Sequence, residues 1–138
     1  MTSLYTASAA ATGDGRNGHV QSTDGVLDLD VRVPKEMGGS GGATNPEQLF
    51  AAGYAACFHS ALRLVAGQAK ADTTDSEVVA DVSVNPTETG GFQLSVQLEV
   101  SLPAVDAETA QKLVEQAHQV CPYSNATRGN IEVTLSVA

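Results

Sequence analysis

Two cysteines, Cys57 and Cys121, carry the most reactive side chains in this sequence. A cysteine thiolate is a strong nucleophile, and two thiols can close a disulfide when their α-carbons lie within roughly 7 Å. Cys57 lies in an apolar segment, where a cysteine is most often a small buried hydrophobe. Cys121 directly precedes Pro122, and a thiol at such a junction is more often accessible. The count alone favours inert core cysteines, with a redox pair as the alternative.

Arg16 and Glu47 are the charged residues that could activate such a thiol. Arg16 lies between glycines in the segment GDGRNG, residues 13–18, which is a turn by composition. Glu47 falls in the first turn of a predicted helix, where a carboxylate interacts favourably with the helix dipole. A fixed guanidinium lowers the pKa of a neighbouring thiol, and a carboxylate can hold that guanidinium in one orientation. The simpler interpretation is a solvated turn arginine and an ordinary helix-terminal glutamate.

The three histidines, His19, His59 and His118, are scattered along the chain, and no closely spaced cysteine pair accompanies them. Zinc sites in proteins are usually built from closely spaced cysteine and histidine ligands. The sequence therefore predicts no metal site.

A long helix is predicted to carry the first cysteine. Asn45 is a favoured N-cap, and Gln48 can complete a capping box with it. Thr44 with Glu47 offers the same box one residue earlier, so the start is defined to within one residue. The helix is predicted to end near residues 67–69.

The spacing of Glu47 and Cys57 poses a geometric problem. Ten residues of straight helix separate them by about 15 Å along the axis and by roughly 80° around it. The two side chains cannot meet if both belong to one unbroken helix. Either the helix breaks, at a residue such as Gly53, or Glu47 and Arg16 of a partner chain complete the site around Cys57. The small residues of the segment AAGYAA would let two such helices approach closely, so we expect an intertwined homodimer with composite sites.

The remaining patterns predict strands and a second helix. Apolar and polar residues alternate over residues 27–33, 78–84, 92–102 and 131–137, and weaker strand signals lie over residues 4–11 and 19–22. Residues 27–33 are expected to form a half-buried strand. Asp106 is expected to cap an amphipathic helix that ends or bends at Pro122. This order of elements indicates an α+β fold with mainly antiparallel strand pairing.

Length and charge restrict the classes of protein to which the chain can belong. Its 138 residues are most simply one domain, residues 1–138. Seven basic against 16 acidic residues give a net charge of −9. Phosphate backbones and anionic lipids would repel such a chain, so neither nucleic acid nor a membrane is expected as a partner. We recognise no secretory signal and no apolar run of the roughly 18 residues that a membrane span needs, and therefore expect a cytoplasmic location.

Three segments closely resemble the organic hydroperoxide resistance (Ohr) proteins of the Ohr/OsmC superfamily. They are GRNGHV at residues 15–20, NPEQLFAAGYAACF at residues 45–58 and VCPYSNATRGN at residues 120–130. The resemblance extends in order through essentially the whole chain, which makes it more specific than any single cysteine. It implies an α+β, OsmC-like fold in which mainly antiparallel sheets pack on a central helix within an intertwined homodimer.

The resemblance also implies roles for the candidate residues. Cys57 would be the peroxidatic thiol, Cys121 the resolving thiol, and Arg16 and Glu47 the activating pair, which replaces the interpretation of inert cysteines. The implied reaction reduces alkyl or fatty-acid hydroperoxides through a Cys57 sulfenic acid and a Cys57–Cys121 disulfide. An external dithiol, which in this family is a lipoyl group on a lipoylated protein, would restore both thiols. No flavin, haem or metal cofactor is implied.

Apolar residues near the thiol are expected to favour organic hydroperoxides over hydrogen peroxide. The candidates are Met37, Phe50, Tyr54 and Phe58, each of which is equally a core residue by type. Two other interpretations stay open. One is an OsmC-type peroxidase with the same fold and a different substrate preference, and the other is a non-enzymatic redox sensor or hydrophobic-ligand carrier. Turnover separates them, because a sensor reacts with peroxide once.

Overall fold

The computed structural model describes residues 2–138, which divide into two compact units. The first unit ends at Leu49 and the second extends from Phe50 to Ala138. Each unit contains one three-stranded sheet. Together with the helices, these sheets confirm the predicted α+β class.

The sheet of the first unit is an antiparallel meander. It consists of β1 (Ala9–Asp14), β2 (Asn17–Ser22) and β3 (Asp28–Val31), in that order. Gly15 and Arg16 form the tight turn between β1 and β2, and Gly15 has a φ of 63°, where glycine is favoured. The turn sets which residues of β1 and β2 are paired, from Asp14 opposite Asn17 to Ala9 opposite Ser22. The first strand therefore begins at Ala9, later than the predicted start at residue 4. A short 3₁₀-helix, Lys35–Met37, follows the sheet.

The strands of the first unit bury little apolar surface. All six residues of β1 are exposed, and Leu27 and Leu29 remain 37% and 39% exposed. Val31, by contrast, is buried. The prediction of a half-buried strand over residues 27–33 is therefore wrong for its first half, because the apolar side chains of that half stay open to solvent in the described chain.

The helix α1 (Pro46–Gln68) follows the predicted boundaries. The Oδ1 atom of Asn45 accepts a hydrogen bond of 2.8 Å from the backbone amide of Gln48, which confirms the predicted N-cap. The helix passes through Gly53 without a break. A helix break therefore cannot bring Glu47 to Cys57.

This helix is also long and apolar enough to cross a membrane, by length and composition alone. The finding corrects the prediction that no apolar run reaches this length. Pattern reading missed it because alanines, rather than large aliphatic residues, make the helix apolar, and because His59 and Arg63 interrupt it. The core helix of a globular protein passes the same test. Here six residues of α1 are buried, all of them in the second unit.

The sheet of the second unit combines a hairpin with one parallel strand. It contains β4 (Glu77–Pro86), β5 (Phe92–Ser101) and β6 (Val133–Val137). The predicted hairpin is confirmed, with Val82 opposite Val96. The last strand pairs in parallel with β5, because two helices cross over between them.

Those two helices meet at Cys121. The first, α2 (Ala107–Val120), is capped by Asp106, whose Oδ1 accepts a hydrogen bond of 2.8 Å from the amide of Thr109. It ends before Pro122, as predicted. Pro122 then occupies the first turn of a further short helix, α3 (Pro122–Thr127), which the patterns did not predict.

The core of the second unit is formed by the inward faces of α1, α2 and β5. Alternation along β5 and helical spacing along α1 and α2 place apolar side chains on one side of each element. The buried members are Tyr54, Phe58, Ala61, Leu62, Val65, Ala66, Val96, Leu98, Val100, Leu102, Ala110, Leu113, Val114, Ala117 and Cys121. This core therefore fixes the elements that carry both cysteines.

Candidate active site

Cys57 and Cys121 lie side by side in the second unit, with 3.7 Å between their Sγ atoms. Both are free thiols, and Cys121 is fully buried while Cys57 is partly exposed. A disulfide bond is about 2.05 Å long, so the sulfurs need to approach by roughly 1.7 Å to form one. The packing of α1 against the junction of α2 and α3 brings them together, which sequence separation could not reveal.

The difference in exposure gives the two sulfurs different chemistry. A partly exposed thiol can meet a reagent from solvent, whereas a fully buried thiol reacts only with groups already in the protein. The arrangement therefore suits Cys57 to react first and Cys121 to react with the product.

The surroundings of Cys57 disfavour its thiolate. Burial, the largest cause, raises the pKa of the Cys57 thiol, and the neighbouring Cys121 raises it further. The backbone amide of Tyr123 acts in the opposite direction and lowers it. These groups all belong to the second unit and include no cation. A nearby positive charge would offset this effect and favour the thiolate.

Arg16 and Glu47 form a bidentate ion pair in the first unit. The Nη1 and Nη2 atoms of Arg16 lie 2.6 Å and 3.1 Å from the two carboxylate oxygens of Glu47. The turn between β1 and β2 presents Arg16, and the first turn of α1 presents Glu47. Donating these hydrogen bonds to Glu47 raises the pKa of Arg16, so this guanidinium is a fixed, oriented cation. Its part in catalysis stays a prediction.

Three aromatic rings, those of Phe50, Tyr54 and Tyr123, form a cluster in the second unit. Their centroids lie 5.5, 5.9 and 6.2 Å apart in the three pairs. A Cβ atom on Gly53 would lie 2.5 Å from the Tyr123 hydroxyl oxygen, so the absent side chain at this position makes room for the ring. Pattern reading did not select Tyr123, whose only signal was its place two residues after Cys121.

The other predicted substrate-binding residues occupy different environments. Phe58 is fully buried in the core of the second unit, whereas Met37 is exposed in the 3₁₀-helix of the first unit. Phe50 is partly buried and packs against that core. Contact of any of these side chains with a substrate stays a prediction.

A chain of buried polar side chains adjoins the dithiol. The Tyr54 hydroxyl is hydrogen-bonded to Ser124 Oγ at 2.8 Å and to Thr127 Oγ1 at 3.0 Å. His118 Nδ1 lies 2.8 Å from the same Ser124 oxygen. Sequence reasoning missed this chain, and its only available signal was the spacing of Ser124 and Thr127 by three residues, which places both on one face of α3.

The histidines are engaged by protein groups. His19 contacts Asp28 and Asp30, and His59 Nε2 lies 2.8 Å from the hydroxyl of Ser76. Over residues 2–138, no group of three or more histidine, cysteine, aspartate or glutamate side chains is arranged to hold a metal ion.

Comparison with known proteins gives full-length matches. Residues 39–136 match the family model described as OsmC-like protein. The organic hydroperoxide resistance protein of Xanthomonas axonopodis pv. citri is 55% identical over 137 residues, which cover 98% of this chain and 95% of that protein. The protein OhrB of Bacillus subtilis is 51% identical over 97% of this chain and 98% of its own. The crystal structure of an organic hydroperoxide resistance protein from Legionella pneumophila superposes with a TM-score of 0.95, at 54% identity and 99% coverage of both chains.

Proposed function

Since the chain belongs to the organic hydroperoxide resistance group of the OsmC-like family, we propose that it is a thiol peroxidase that reduces organic hydroperoxides. The observation that carries this proposal is the reduced thiol pair, in which a partly exposed Cys57 lies 3.7 Å from a buried Cys121. The names of the relatives agree with this class of substrate. The proposed substrates are alkyl and fatty-acid hydroperoxides.

The first step oxidises Cys57. Its thiolate attacks the terminal oxygen of the hydroperoxide, so that a sulfur–oxygen bond forms while the oxygen–oxygen bond breaks. The departing alkoxide takes up a proton and leaves as the alcohol. Cys57 has then lost two electrons and is a sulfenic acid.

The second step closes the disulfide. The sulfur of Cys121 attacks the sulfenic sulfur of Cys57, and the hydroxyl group leaves as water with the proton of the Cys121 thiol. This step protects Cys57 against a second peroxide, which would otherwise produce an irreversible sulfinic acid. An external dithiol, proposed to be the lipoyl group of a lipoylated protein in the cytoplasm, then reduces the disulfide by exchange.

Activation of Cys57 is proposed to come from Arg16 and Glu47 of a second copy of the chain. Burial raises the pKa of the Cys57 thiol, and a cation is needed to offset this effect. Arg16, held by Glu47, is a preorganised cation of this kind. Because α1 is unbroken, Glu47 and Cys57 of one helix are about 15 Å apart along its axis. A partner chain resolves this separation.

The exposed apolar residues of the first unit also support a homodimer. Leu29 and the small side chains of β1 are open to solvent, although strands of this length are normally stabilised by a covered face. A second copy covering this sheet would bury them. An intertwined dimer therefore accounts for both the exposed sheet and the separation along α1.

Turnover tests the proposed reaction. Purified protein is mixed with cumene hydroperoxide or hydrogen peroxide and with dihydrolipoamide as reductant. We expect many turnovers with the organic hydroperoxide and markedly fewer with hydrogen peroxide. Cys57→Ser should abolish the reaction, while Cys121→Ser should lose turnover, consuming one equivalent to form the sulfenic acid and a second as Cys57 becomes sulfinic acid. Consumption of a single equivalent by the unmodified protein would instead indicate a sensor.

Complementation between subunits tests the composite site. Arg16→Ala and Cys57→Ser chains are each expected to have little activity, so the two variants are refolded together. If Arg16 acts across the dimer, the mixed dimer contains one complete site and regains activity. A mixture as inactive as its parents, with mixed dimers verified by mass, would place Arg16 and Cys57 of the same chain in one site or remove Arg16 from the reaction.

A further inference from the structure

The hydrogen-bonded chain of polar side chains lies next to the two cysteines on the same two helical segments. Tyr54 and Cys57 are three residues apart on α1, and Cys121 and Ser124 are three residues apart at the start of α3. Residues at this spacing lie on the same face of a helix. The sulfur pair, at 3.7 Å, and the Tyr54–Ser124 hydrogen bond, at 2.8 Å, are therefore neighbouring contacts between the same two segments.

A second set of hydrogen bonds holds the corner at Cys121. His118 belongs to the last turn of α2 and bonds Ser124 of α3, so the two helices are joined across the cysteine between them. The Nη1 atom of Arg128 donates to the carbonyl oxygen of His118 at 2.8 Å and joins the same two segments again. Cys121 itself donates its amide proton to Ala117. The backbone on both sides of Cys121 is thus fixed.

Every hydroxyl group in this hydrogen-bonded series of side chains can donate its proton to an acceptor at the same time. His118 Nδ1–H donates to Ser124, Ser124 to Tyr54, Tyr54 to Thr127, and the Thr127 hydroxyl to the backbone carbonyl of Ser124 at 3.3 Å. Both Ser124 and Thr127 are buried, so loss of one member leaves a neighbour without its partner away from water. Such a chain is a rigid support.

We infer that the chain His118–Ser124–Tyr54–Thr127 is a positioning device that holds Cys121 in attacking distance of Cys57. The inference rests on the proposed function and assigns these four residues a role in its second step. There the sulfur of Cys121 displaces water from the Cys57 sulfenic acid, in competition with a second peroxide molecule. Holding the sulfur of Cys121 near the sulfur of Cys57 raises the rate at which the disulfide closes. It does not affect the first step, in which Cys57 attacks the peroxide.

Stepwise reaction with dithiodipyridine measures closure of the disulfide without peroxide. The partly exposed thiol of Cys57 first displaces one thiopyridone and forms a mixed disulfide. Cys121 then attacks the Cys57 sulfur, closes the protein disulfide and releases the second thiopyridone. The second phase is intramolecular, so its rate is independent of reagent concentration and reports the placement of Cys121.

The main variant is Ser124→Ala, which removes the centre of the chain. Since small misplacements of reacting groups change rates strongly, we expect the second phase to slow by about tenfold and the first phase to stay within about twofold. Tyr54→Phe keeps the aromatic ring and should also slow closure. The double variant should slow closure by less than the product of the two single effects, because both single variants already lose the Tyr54–Ser124 hydrogen bond. Asn125→Ala, an exposed neighbour on α3, is the matched control and should close at the original rate.

Under graded cumene hydroperoxide, the Ser124→Ala protein should also convert more Cys57 to sulfinic acid, which mass spectrometry detects as two added oxygen atoms. Unchanged second phases in folded Ser124→Ala and Tyr54→Phe proteins would overturn the positioning role. Equal slowing by Asn125→Ala would overturn it too, since any change in α3 would then suffice. If closure slows as expected but the unmodified protein reduces no hydroperoxide, the proposed function fails and the positioning of the dithiol stands.

Discussion

The two three-stranded sheets of this protein are stabilised in different ways. In the second unit, β5 alternates buried and exposed residues, and Val96, Leu98 and Val100 lie in a core shared with α1 and α2. In the first unit, β1 is exposed throughout and β3 buries only its last residue. The second sheet thus gains stability from hydrophobic burial within its own unit, whereas the first depends on backbone pairing and surface contacts. The sheet of the second unit can fold around its own core. The exposed sheet of the first unit would gain stability from an additional surface that covers it.

The chemistry follows the same division. The second unit contains both thiols, in an environment that raises the pKa of Cys57. The first unit contains the cation that we propose for activation, in an ion pair that the first turn of α1 and a two-residue hairpin turn hold together. A partly exposed hairpin can present a charge to another surface, which a buried element cannot. This exposure is consistent with our proposal that Arg16 acts on Cys57 of a partner chain.

The largest expected effect compares one substitution in each unit. Phe58→Ala removes a fully buried ring and should lower the free energy of unfolding by about 3–5 kcal/mol. Leu29→Ala, on the exposed face of β3, should cost less than about 1 kcal/mol in dilute protein and more as the concentration increases, because a dimer would bury this face. Denaturant unfolding at two protein concentrations measures both effects.

An equal, concentration-independent loss for both variants would contradict this comparison. It would mean that Leu29 stabilises a single chain as strongly as a core residue does. Phe58→Leu, which keeps most of the apolar volume, should lose much less stability than Phe58→Ala and serves as the control for the core site.

A smaller effect distinguishes two glycines of α1. Gly67→Ala places its new methyl group in open space, so the better helix propensity of alanine should stabilise the protein by about 0.5–1 kcal/mol. Gly53→Ala has the same intrinsic gain, but its Cβ would displace the Tyr123 ring from its contacts with Phe50 and Tyr54. We expect little or no net stabilisation at this position. Thermal unfolding measures both variants.

Cysteine reactivity provides a second measurement on the glycine pair. Gly53→Ala should alter the rate at which Cys57 reacts with dithiodipyridine, because the backbone amide of Tyr123 also lowers the pKa of that thiol. Gly67→Ala should leave that rate unchanged. Equal stabilisation by both substitutions, with unchanged reactivity, would show that the Tyr123 ring does not need the space at Gly53.

The smallest expected effects come from two histidines, one in each unit. Hydrogen bonds to Asp30 and Asp28 raise the pKa of His19, whereas burial, followed by nearby Arg128, lowers the pKa of His118. His19 therefore contributes stability below its unfolded pKa of about 6.5, which is lost as the pH rises through its folded value. His118 contributes stability above about pH 6.5, and this contribution is lost as the pH falls toward its folded value. NMR titration of the imidazole resonances should place the two pKa values on opposite sides of 6.5, and a reversed order would refute the assignment.

Strong local patterns predicted most of the elements. The caps at Asn45 and Asp106, the hairpin of β4 and β5 and the end of α2 before Pro122 all follow from side-chain types and periodicity, which act over a few residues. Local patterns could not predict α3, whose six residues contain no apolar repeat of helical length. They also misjudged β3, because alternation indicates which side chains share a face but not whether that face is covered.

The candidate site divides in the same way between local and long-range information. Cys57, Arg16 and Glu47 could be proposed from residue type, local setting and the family resemblance. The 3.7 Å approach of Cys121 and the bidentate geometry at Arg16 depend on contacts between distant segments, which no local pattern encodes. The polar chain through Ser124 was hidden for the same reason, since serine and threonine in a short helix have many ordinary roles.

The position of Cys121 in the crossover between β5 and β6 has a consequence for the unfolded chain. A disulfide to Cys57 would close a covalent loop of 64 residues that contains the end of α1, the whole β4–β5 hairpin and α2. Closing a loop of this size removes enough chain entropy from the unfolded ensemble to favour the folded state by about 4 kcal/mol. Oxidation would therefore make the protein harder to unfold once both thiols are spent. Its resistance to heat would then report the redox state of the dithiol.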